Sequence, residues 1–416
     1  MFFLYQKATK QPLKKYYQQT VSESQYQRKG RNKILIYLDN SATTNPKPQA
    51  VINACANALR NSANPGRSAH QLSLSAAKRV YDTRCLAAEF FGAAQEDRVI
   101  FTPSCTFSLN TAIKSVLSEG GHAVVSSLEH NAVMRPLEKL RSRGVTYSAA
   151  DVCIGDNDRT IDNFRKCIKS DTKAIICTHA SNVFGIRLPA ERLCALAHAY
   201  GLVFILDAAQ SAGIIPVNME DGYDIVCAAP HKGLYAPMGT GLMILSDSIS
   251  PDTLIEGGTG SNSLSQVQPE ELPDKFESGT LNYPGISGIY EGISFVKRKG
   301  ISKICKHEIS LLAKLFNALQ KMPGIILYTP EPSDENFVPV LSFNIKNRHS
   351  EETARHLQKY GIAVRAGLHC APCAHRSIGT LDTGTVRISP SAFTSERDIE
   401  KTIFALSKPG FMAEQQ

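Results

Sequence analysis

Two charged side chains stand directly after apolar stretches of the sequence, an acid at Asp207 and an amine at Lys232. Asp207 follows LVFIL, and Lys232 follows DIVCAAP together with His231. A lysine amine can form a Schiff base with an aldehyde cofactor, and a carboxylate can keep a pyridine nitrogen protonated so that the ring withdraws electrons. The pair therefore suits a pyridoxal phosphate enzyme, although either residue alone is more often a helix cap or a solvated side chain.

An alternation of short strands and helices predicts how these side chains come together. From about residue 98, strand-like runs such as RVIFT, HAVVSSL, KAIICTHA and GTGLMIL alternate with helical patterns at 106–117, 131–143 and 189–200. This order indicates an α/β fold with a mainly parallel sheet covered on both faces. Ligands of such sheets lie at the carboxyl ends of the strands. Polar residues stand at or just after these predicted strand ends: Asn182, Asp207, Gln210, His231 and Lys232.

The C-terminal part of the sequence predicts a second, smaller unit. A Gly/Ser/Pro-rich stretch at 257–287 lacks periodicity and is expected to form loops over the site. Long helical patterns at about 287–320 then lead to the strand VPVLSFNI, a helix at 350–360, the strand TVRIS and a last helix at 394–407. This order predicts a small α+β domain.

Domain boundaries follow from these patterns and from the charge distribution. We expect a basic, disordered or loosely docked extension at 1–34, a large cofactor-binding domain at 50–297, and a small domain formed by 35–49 and 298–408. Residues 1–33 contain eight Lys and Arg against one acid, so most of the net charge of +8 lies there and the remainder is close to neutral.

The composition excludes several classes of protein. With 416 residues, 43% hydrophobic and 20% charged, the chain has the balance of a soluble globular protein with two domains. The nearly neutral body gives no reason to expect a nucleic-acid partner. The chain contains no apolar run near the roughly 18 residues of a membrane span, so we expect a cytoplasmic protein. Its eleven cysteines then indicate reduced thiols.

Eight short motifs, taken as a set, resemble one known family. They are YLDNSATT (37–44), EHNAV (129–133), THASNVFG (178–185), LDAAQSAG (206–213), HKGLYAPMGTG (231–241), FESGTLN (276–282), VRAGLHCAPC (364–373) and VRIS (386–389). Together they resemble the cysteine desulfurase and selenocysteine lyase branch of the class V aminotransferases. The resemblance implies a fold type I pyridoxal phosphate enzyme with a mainly parallel seven-stranded sheet. It also implies a homodimer with active sites near the subunit interface.

The resemblance assigns roles to the residues around the cofactor ring. It makes Lys232 the Schiff-base lysine, Asp207 the partner of the pyridine nitrogen and Gln210 a hydrogen-bond donor to the phenolic oxygen. His130 would stack on the ring and exchange protons, whereas a histidine in this context is otherwise more often a helix-start residue. Asn182 is expected near the phenolic oxygen and the substrate.

The segment FTPSCTFSLNTA predicts where the phosphate binds. It has the pattern of a strand, a turn and a helix start, so the N–H groups of Cys105 and Thr106 with the Thr106 hydroxyl would form an anion site. Plain capping by Ser104 explains the segment equally well. His231 would complete the phosphate site, and the resemblance implies that Thr280 reaches it from the partner subunit.

The sequence departs from the family at two positions near the phosphate. Ala229 replaces a serine that is frequent in the family, which removes a hydroxyl for the phosphate, and Phe107 replaces a frequent acid.

At the substrate side, the resemblance assigns Arg387 in TVRIS to the substrate carboxylate, which a planar guanidinium can bind with two hydrogen bonds. Without the family, a strand arginine of this kind is more often solvated at a sheet edge.

A second nucleophile is expected at Cys370, which matches the family's persulfide-forming cysteine. Its loop has two other interpretations. His369, Cys370, Cys373 and His375 are close enough for a metal site, but four zinc ligands within seven residues would be strained, so we predict no metal. A Cys370–Cys373 disulfide that blocks or regulates the nucleophile is favoured over the metal site. The family usually has an apolar residue at the Cys373 position, so the sequence departs from it there.

These residues lead to one expected function and two classes of alternative. We expect a homodimeric, pyridoxal phosphate-dependent cysteine desulfurase that converts L-cysteine to L-alanine, leaves a persulfide on Cys370 and passes sulfur to an acceptor protein. Other reactions at the same site are selenocysteine lysis, cysteine sulfinate desulfination and other class V lyase or aminotransferase chemistry. A non-catalytic sulfur-relay or metal-binding protein would not need Lys232, Asp207 and His130 together.

Overall fold

A seven-stranded sheet lies at the centre of the part of the chain that the computed structural model describes, residues 35–66 and 68–408. The described strands, in chain order, are β1 (Ile36–Tyr37), β2 (Val99–Thr102), β3 (Gly121–Ser126), β4 (Val145–Ala150), β5 (Thr172–Thr178), β6 (Val203–Asp207), β7 (Ile225–Ala228), β8 (Gly241–Leu245), β9 (Ile325–Leu327), β10 (Leu341–Ile345), β11 (Ile362–Ala363), β12 (Arg365–Gly367) and β13 (Thr385–Ile388). The central order is β2-β8-β7-β6-β5-β3-β4, parallel except that β8 runs antiparallel to both of its neighbours. The predicted α/β fold with a mainly parallel seven-stranded sheet is confirmed.

Some of the described α-helices cover the two faces of this sheet, and the others belong to the C-terminal part of the chain. They are α1 (Gln49–Arg60), α2 (Gln71–Phe91), α3 (Cys105–Val116), α4 (Asn131–Leu140), α5 (Asn157–Cys167), α6 (Ala190–Ala199), α7 (Tyr283–Lys299), α8 (Ile301–Gln320), α9 (Ser350–Lys359), α10 (Pro372–Ser377) and α11 (Glu396–Leu406). None of the described helices is long and apolar enough to cross a membrane. The predicted extension at 1–34 lies outside the described residues.

The predicted helices are found within a few residues of their expected ends, with one correction. The loop stretch expected at 257–287 ends earlier, because α7 already begins at Tyr283, capped by the Asn282 side chain that accepts from the Gly285 N–H. The sequence patterns considered did not identify α1 or α2. Helix α2 ends in the usual way at Gly92, whose φ of 63° allows a left-handed cap.

The sheet is buried on both faces, which explains its continuous apolar strands. Neighbouring side chains on a strand point to opposite faces. On β5, Ile175 belongs to one apolar cluster and Ile176 to another, and on β6 Phe204 and Ile205 divide in the same way. The loops at the carboxyl ends of these strands are therefore held on a rigid, packed base.

The C-terminal strands form a separate four-stranded antiparallel sheet with the order β12-β13-β10-β9. A third apolar cluster, which includes Leu312 of α8, Leu357 of α9 and Ile399 of α11, packs around this sheet. The short strand β1 pairs in parallel with β11. These features fit the predicted small α+β domain, and the boundaries 50–297, 35–49 and 298–408 stay a prediction.

Tyr235 connects the loop after Lys232 to the C-terminal elements. Its φ of 55° is left-handed, and its N–H donates to the Lys232 carbonyl at 2.9 Å. The buried hydroxyl donates to Glu308 Oε1 at 3.2 Å and accepts from the Ala392 N–H at 2.8 Å. Helix α7 packs against the same loop at Gly292, where a Cβ would overlap the Leu234 carbonyl oxygen.

We expect Glu308 to make the stability of the fold depend on pH. Burial raises the pKa of this carboxyl from 4.5 to about 8, so between these values the folded chain keeps a proton that the unfolded chain has released. The free energy of unfolding should therefore fall as the pH rises through this range, by roughly 1.4 kcal/mol per pH unit for this group. Glu308→Gln has no such charge and should lose less Tm between about pH 5 and pH 8.5 in thermal unfolding. Exposed Glu335→Gln is the control, and equal pH dependence in all three proteins would contradict the prediction.

Candidate active site

The acid and the amine singled out in the sequence line the same cavity. It has a volume of about 100 Å³, and its lining residues are Ser104, Cys105, Thr106, Leu109, His130, Ala132, Thr178, Asn182, Asp207, Ala209, Gln210, Ala229, His231 and Lys232. Larger cavities of about 490 and 510 Å³ contain neither Asp207 nor Lys232. We take the smaller cavity as the candidate active site because it joins a buried amine, a buried acid and a helix N-terminus.

Lys232 and Asp207 occupy the ends of adjacent parts of the sheet. Asp207 is the last residue of β6, and Lys232 follows β7 after a three-residue segment. Burial lowers the pKa of Lys232 and raises that of Asp207, and the attraction between the two charges opposes both shifts. Asp207 Oδ1 accepts from the Ala209 N–H at 2.9 Å, which fixes the carboxylate at the cavity wall. Burial therefore moves the amine towards its neutral, nucleophilic form.

The N-terminus of α3 opens into this cavity. Ser104 is the N-cap, and its hydroxyl accepts from the Phe107 N–H at 3.2 Å. Cys105 and Thr106 are the first residues of the helix, where N–H groups have no partner within the helix. Ser104 therefore caps the helix, as one of the two interpretations predicted, and the anion site at the N–H groups of Cys105 and Thr106 stays a prediction.

His130 lies at the N-terminus of α4, where its side chain also caps the helix. Its Nδ1 accepts from the Ala132 N–H at 3.0 Å, so the neutral ring carries its proton on Nε2. Burial, followed by the positive charge of Lys232, lowers the pKa of His130 to about 4. The ring is therefore neutral at ordinary pH. His130 thus caps the helix and also lines the cavity, and its stacking on a cofactor ring stays a prediction.

Asn182 lines the cavity, and its backbone contacts Arg387 of β13, which is not among the lining residues. Asn182 Nδ2 donates to the His369 carbonyl at 2.7 Å, while its Oδ1 is buried without a hydrogen-bond partner among the described residues. Arg387 is 1% exposed, so it is not a solvated edge residue. Its Nη1 donates to the Asn182 carbonyl at 2.9 Å and its Nη2 to Asp39 Oδ1 at 2.7 Å. The ion pair with Asp39 was not anticipated from the sequence.

A second group that the sequence reasoning missed fixes the backbone at Lys232. The His231 carbonyl oxygen accepts from the Thr44 N–H at 3.1 Å, the Thr43 hydroxyl at 3.1 Å and the Lys47 ammonium at 2.7 Å. The Thr44 hydroxyl also donates to the Lys232 carbonyl at 3.2 Å. The motif YLDNSATT contained this signal, because two threonines after a strand can donate to a neighbouring loop.

Cys370 is exposed at the surface of a strained loop. His369 and Cys370 are consecutive residues with left-handed φ values of 49° and 59°. The Cys370 carbonyl accepts from the Asn131 N–H at 2.8 Å, so the loop is attached to the start of α4, next to His130. Arg365 Nη2 lies 3.9 Å from the Cys370 Sγ. The thiol is thus accessible, next to a positive charge and connected to the cavity wall.

The other histidine and cysteine side chains near Cys370 have different environments. His369 Nε2 lies 3.1 Å from the Thr385 carbonyl, and His375 Nδ1 lies 2.8 Å from the Thr380 hydroxyl. Cys373 is half-buried on α10, and burial raises the pKa of its thiol. Within the described chain no group of three or more His, Cys, Asp and Glu side chains is arranged to hold a metal ion, and Cys370 and Cys373 are both free thiols.

Two of the predicted cofactor-binding residues, Gln210 and Thr280, differ from the others in their hydrogen bonding or position. Gln210 lines the cavity, but its Nε2 donates to the Ser41 carbonyl at 3.1 Å. Thr280 is exposed and lines a separate cavity of about 210 Å³ together with Phe107 and Phe276. A single chain therefore does not bring Thr280 to the Lys232 cavity, and its role through a partner subunit stays a prediction.

The chain is similar to known proteins over most of its length. The aminotransferase class-V family model matches residues 36–402. A probable cysteine desulfurase of Methanothermobacter thermautotrophicus is 31% identical over 376 residues, which cover 88% of this chain and 92% of that protein. A probable cysteine desulfurase of Xylella fastidiosa strain Temecula1 is 32% identical over 397 residues, or 92% of each chain.

Solved structures show the same likeness in three dimensions. The apo structure of a cysteine desulfurase from Thermococcus onnurineus NA1 has a TM-score of 0.83 at 28% identity, and the match covers 89% of this chain and 94% of that one. A cysteine desulfurase from Escherichia coli has a TM-score of 0.80 at 25% identity with the same coverage.

Proposed function

Because the chain belongs to the aminotransferase class-V family, we propose that it is a pyridoxal phosphate-dependent cysteine desulfurase, which converts L-cysteine to L-alanine and leaves a persulfide on Cys370. The relatives named above are cysteine desulfurases, which supports this choice of reaction. The observation that carries the proposal is the single cavity shared by Lys232, Asp207 and His130, with an exposed cysteine on the loop attached to the start of α4.

The residues of this cavity fit pyridoxal phosphate. The N-terminus of α3 offers N–H groups to a phosphate. Asn182 Oδ1 and His231 Nδ1 are buried without partners among the described residues, as expected for atoms that contact a bound group. Lys232 would hold the aldehyde carbon and Asp207 the pyridine nitrogen, with His130, Gln210, Cys105 and Thr106 around them. When bound, the cofactor supplies an electron sink for the α-carbon of an amino acid.

The side chains of the cavity divide the remaining tasks. Since burial lowers the pKa of Lys232, its amine is suited to accept the α-proton once substrate has replaced it. His130 is neutral, with its proton on Nε2, and so can both pack against a flat ring and donate a proton. Arg387 binds the substrate carboxylate, and Asn182 lies beside it.

In the first half of the proposed reaction, the Cys370 thiol accepts the sulfur atom of the substrate. Its thiolate attacks the γ-sulfur of cysteine, a new S–S bond forms, and the Cβ–S bond breaks with its electron pair left on the carbon fragment, which takes up a proton at Cβ to give the methyl group of alanine. L-cysteine and a thiol thus become L-alanine and a persulfide without any external oxidant or reductant. Arg365 Nη2 lies 3.9 Å from the sulfur and places a positive charge beside it. The exposure of Cys370 leaves the persulfide accessible to an acceptor protein.

We also propose that the enzyme is a homodimer in the cytoplasm. Thr280 is exposed and outside its own chain's cavity, and several apolar side chains are exposed as well: Leu59, Leu72, Leu74, Met238, Leu264 and Val267. Exposed apolar surface of this kind is typical of a subunit contact. The eleven cysteines, all within the described chain and all free, favour a reducing compartment.

Incubation with L-cysteine tests the proposed reaction. We expect alanine to accumulate and the Cys370 peptide to gain one sulfur atom, measured by amino-acid analysis and mass spectrometry without reduction. L-Selenocysteine in a parallel reaction gives the relative preference. Turnover of selenocysteine but not of cysteine, or an unmodified Cys370 after cysteine turnover, would contradict the proposal.

A further inference from the structure

Arg387, the predicted ligand of the substrate carboxylate, already has a carboxylate partner from its own chain. Asp39 Oδ1 lies 2.7 Å from Arg387 Nη2, and the Asn182 carbonyl accepts from Nη1 at 2.9 Å. Arg387 Nε is buried without a partner among the described residues. The guanidinium therefore has an anion on one of its two terminal nitrogens and a neutral oxygen on the other.

The ion pair explains how an arginine remains in so buried a position. Arg387 is 1% exposed, and a buried guanidinium without a counter-ion is strongly destabilising. Asp39 removes this penalty when no substrate is present. Its side chain is 21% exposed, so one side of the carboxylate faces solvent while the other faces Arg387.

Asp39 has little freedom to leave Arg387, because its backbone is fixed to the C-terminal elements. Asp39 and Ser389 form a parallel bridge beside β13, and the next residue, Asn40, donates to the Ser389 carbonyl through both its N–H and its Nδ2. On the other side, Tyr37 pairs with Ala363. A substrate carboxylate that approaches Arg387 therefore meets an anion that stays nearby.

Two carboxylates that share one guanidinium repel each other, and a buried site screens this repulsion less than water does. Asp39 and the substrate carboxylate consequently oppose each other's binding. The Asn182 carbonyl is neutral, so it does not repel the substrate carboxylate.

We propose that Asp39 sets the affinity of the enzyme for the substrate's carboxylate: it keeps Arg387 in place in the empty site and weakens substrate binding by competing for the same guanidinium. This role rests on the proposed function, in which Arg387 binds the amino acid. It goes beyond that function because it gives an acidic residue outside the cofactor cavity control over KM.

Asp39→Asn tests the proposal, since it keeps a hydrogen-bond acceptor for Arg387 and removes the negative charge. We expect the KM for L-cysteine to fall about tenfold with kcat within about twofold of the parent. Calorimetry should show the product L-alanine binding more tightly by a similar factor, which is a measurement independent of turnover. Asp39→Ser, which also removes the charge, should shift both values in the same direction.

The controls separate charge from structure. Asp252→Asn removes the same charge from an exposed loop that does not line the Lys232 cavity and should leave KM unchanged. Asp39→Glu keeps the charge and should not lower KM. A KM that rises or stays constant in both Asp39→Asn and Asp39→Ser would overturn the proposal.

Arg387→Lys distinguishes this failure from failure of the proposed function. If this variant weakens L-alanine binding but Asp39→Asn does not strengthen it, only the role of Asp39 is wrong. If Arg387→Lys leaves L-alanine binding unchanged, Arg387 is not the carboxylate site and the assignment of the substrate site is wrong as well.

Discussion

Lys232→Ala is expected to give a colourless protein whose cysteine turnover falls ~10³-fold or more, because it removes both the covalent attachment of the cofactor and the base for the α-proton. The lysine is buried in the cavity next to Asp207, and no other lysine lines that cavity in the described chain. Visible absorbance of the purified protein and alanine production from L-cysteine measure the two effects.

The exposed Lys139→Ala variant is the matched control and should keep both colour and activity. Reduction of the parent protein with borohydride, followed by peptide mass spectrometry, should locate the cofactor on Lys232. A cofactor found on any other lysine would overturn the assignment of the cavity.

Cys370→Ala is expected to keep the colour and to lose persulfide formation, with cysteine turnover lowered by ~10²-fold or more because the nucleophile for the γ-sulfur is absent. Selenocysteine cleavage should fall less, since selenium leaves more readily. Sulfide release under reducing conditions and mass spectrometry of the 365–376 region measure the outcome.

Cys373→Ala removes the thiol three residues further on, at the start of α10, and should still form the persulfide on Cys370. This matched pair of variants also tests the disulfide that the sequence suggested, because only the parent could form a Cys370–Cys373 bond after oxidation. Sulfide release from cysteine at the parent rate by Cys370→Ala would show that the persulfide mechanism is wrong.

The sequence predicted the parts of the site that depend on local order. Asp207 and Lys232 follow apolar strands, and parallel strands bring their carboxyl ends to one edge, so a shared cavity could be expected. The helix start at Cys105 was likewise visible in FTPSCTFSLNTA, because a strand, a turn and a cap leave a clear pattern.

Contacts between distant segments could not be predicted in the same way. No local pattern in the sequence links Asp39 to Arg387, and only folding places their side chains 2.7 Å apart. The donors from Thr43, Thr44 and Lys47 to the His231 carbonyl are similarly long-range. Tertiary position, not propensity, decides such contacts, and the same limit left the role of Thr280 dependent on a partner subunit.

The hydrogen bond from Asn40 to the Ser389 carbonyl spans 349 positions of sequence, so its two partners are synthesised far apart in time. Residues 36–47 leave the ribosome early, yet the strand and loop that hold them, Ile362–Ala363 and Ser389, are translated near the end. Thr44 and Lys47 hold the backbone at His231 and Lys232, and the segment that carries them gains its own C-terminal partners only when translation is nearly complete. The N-terminal side of the site is therefore completed late in folding, by contacts of high sequence separation.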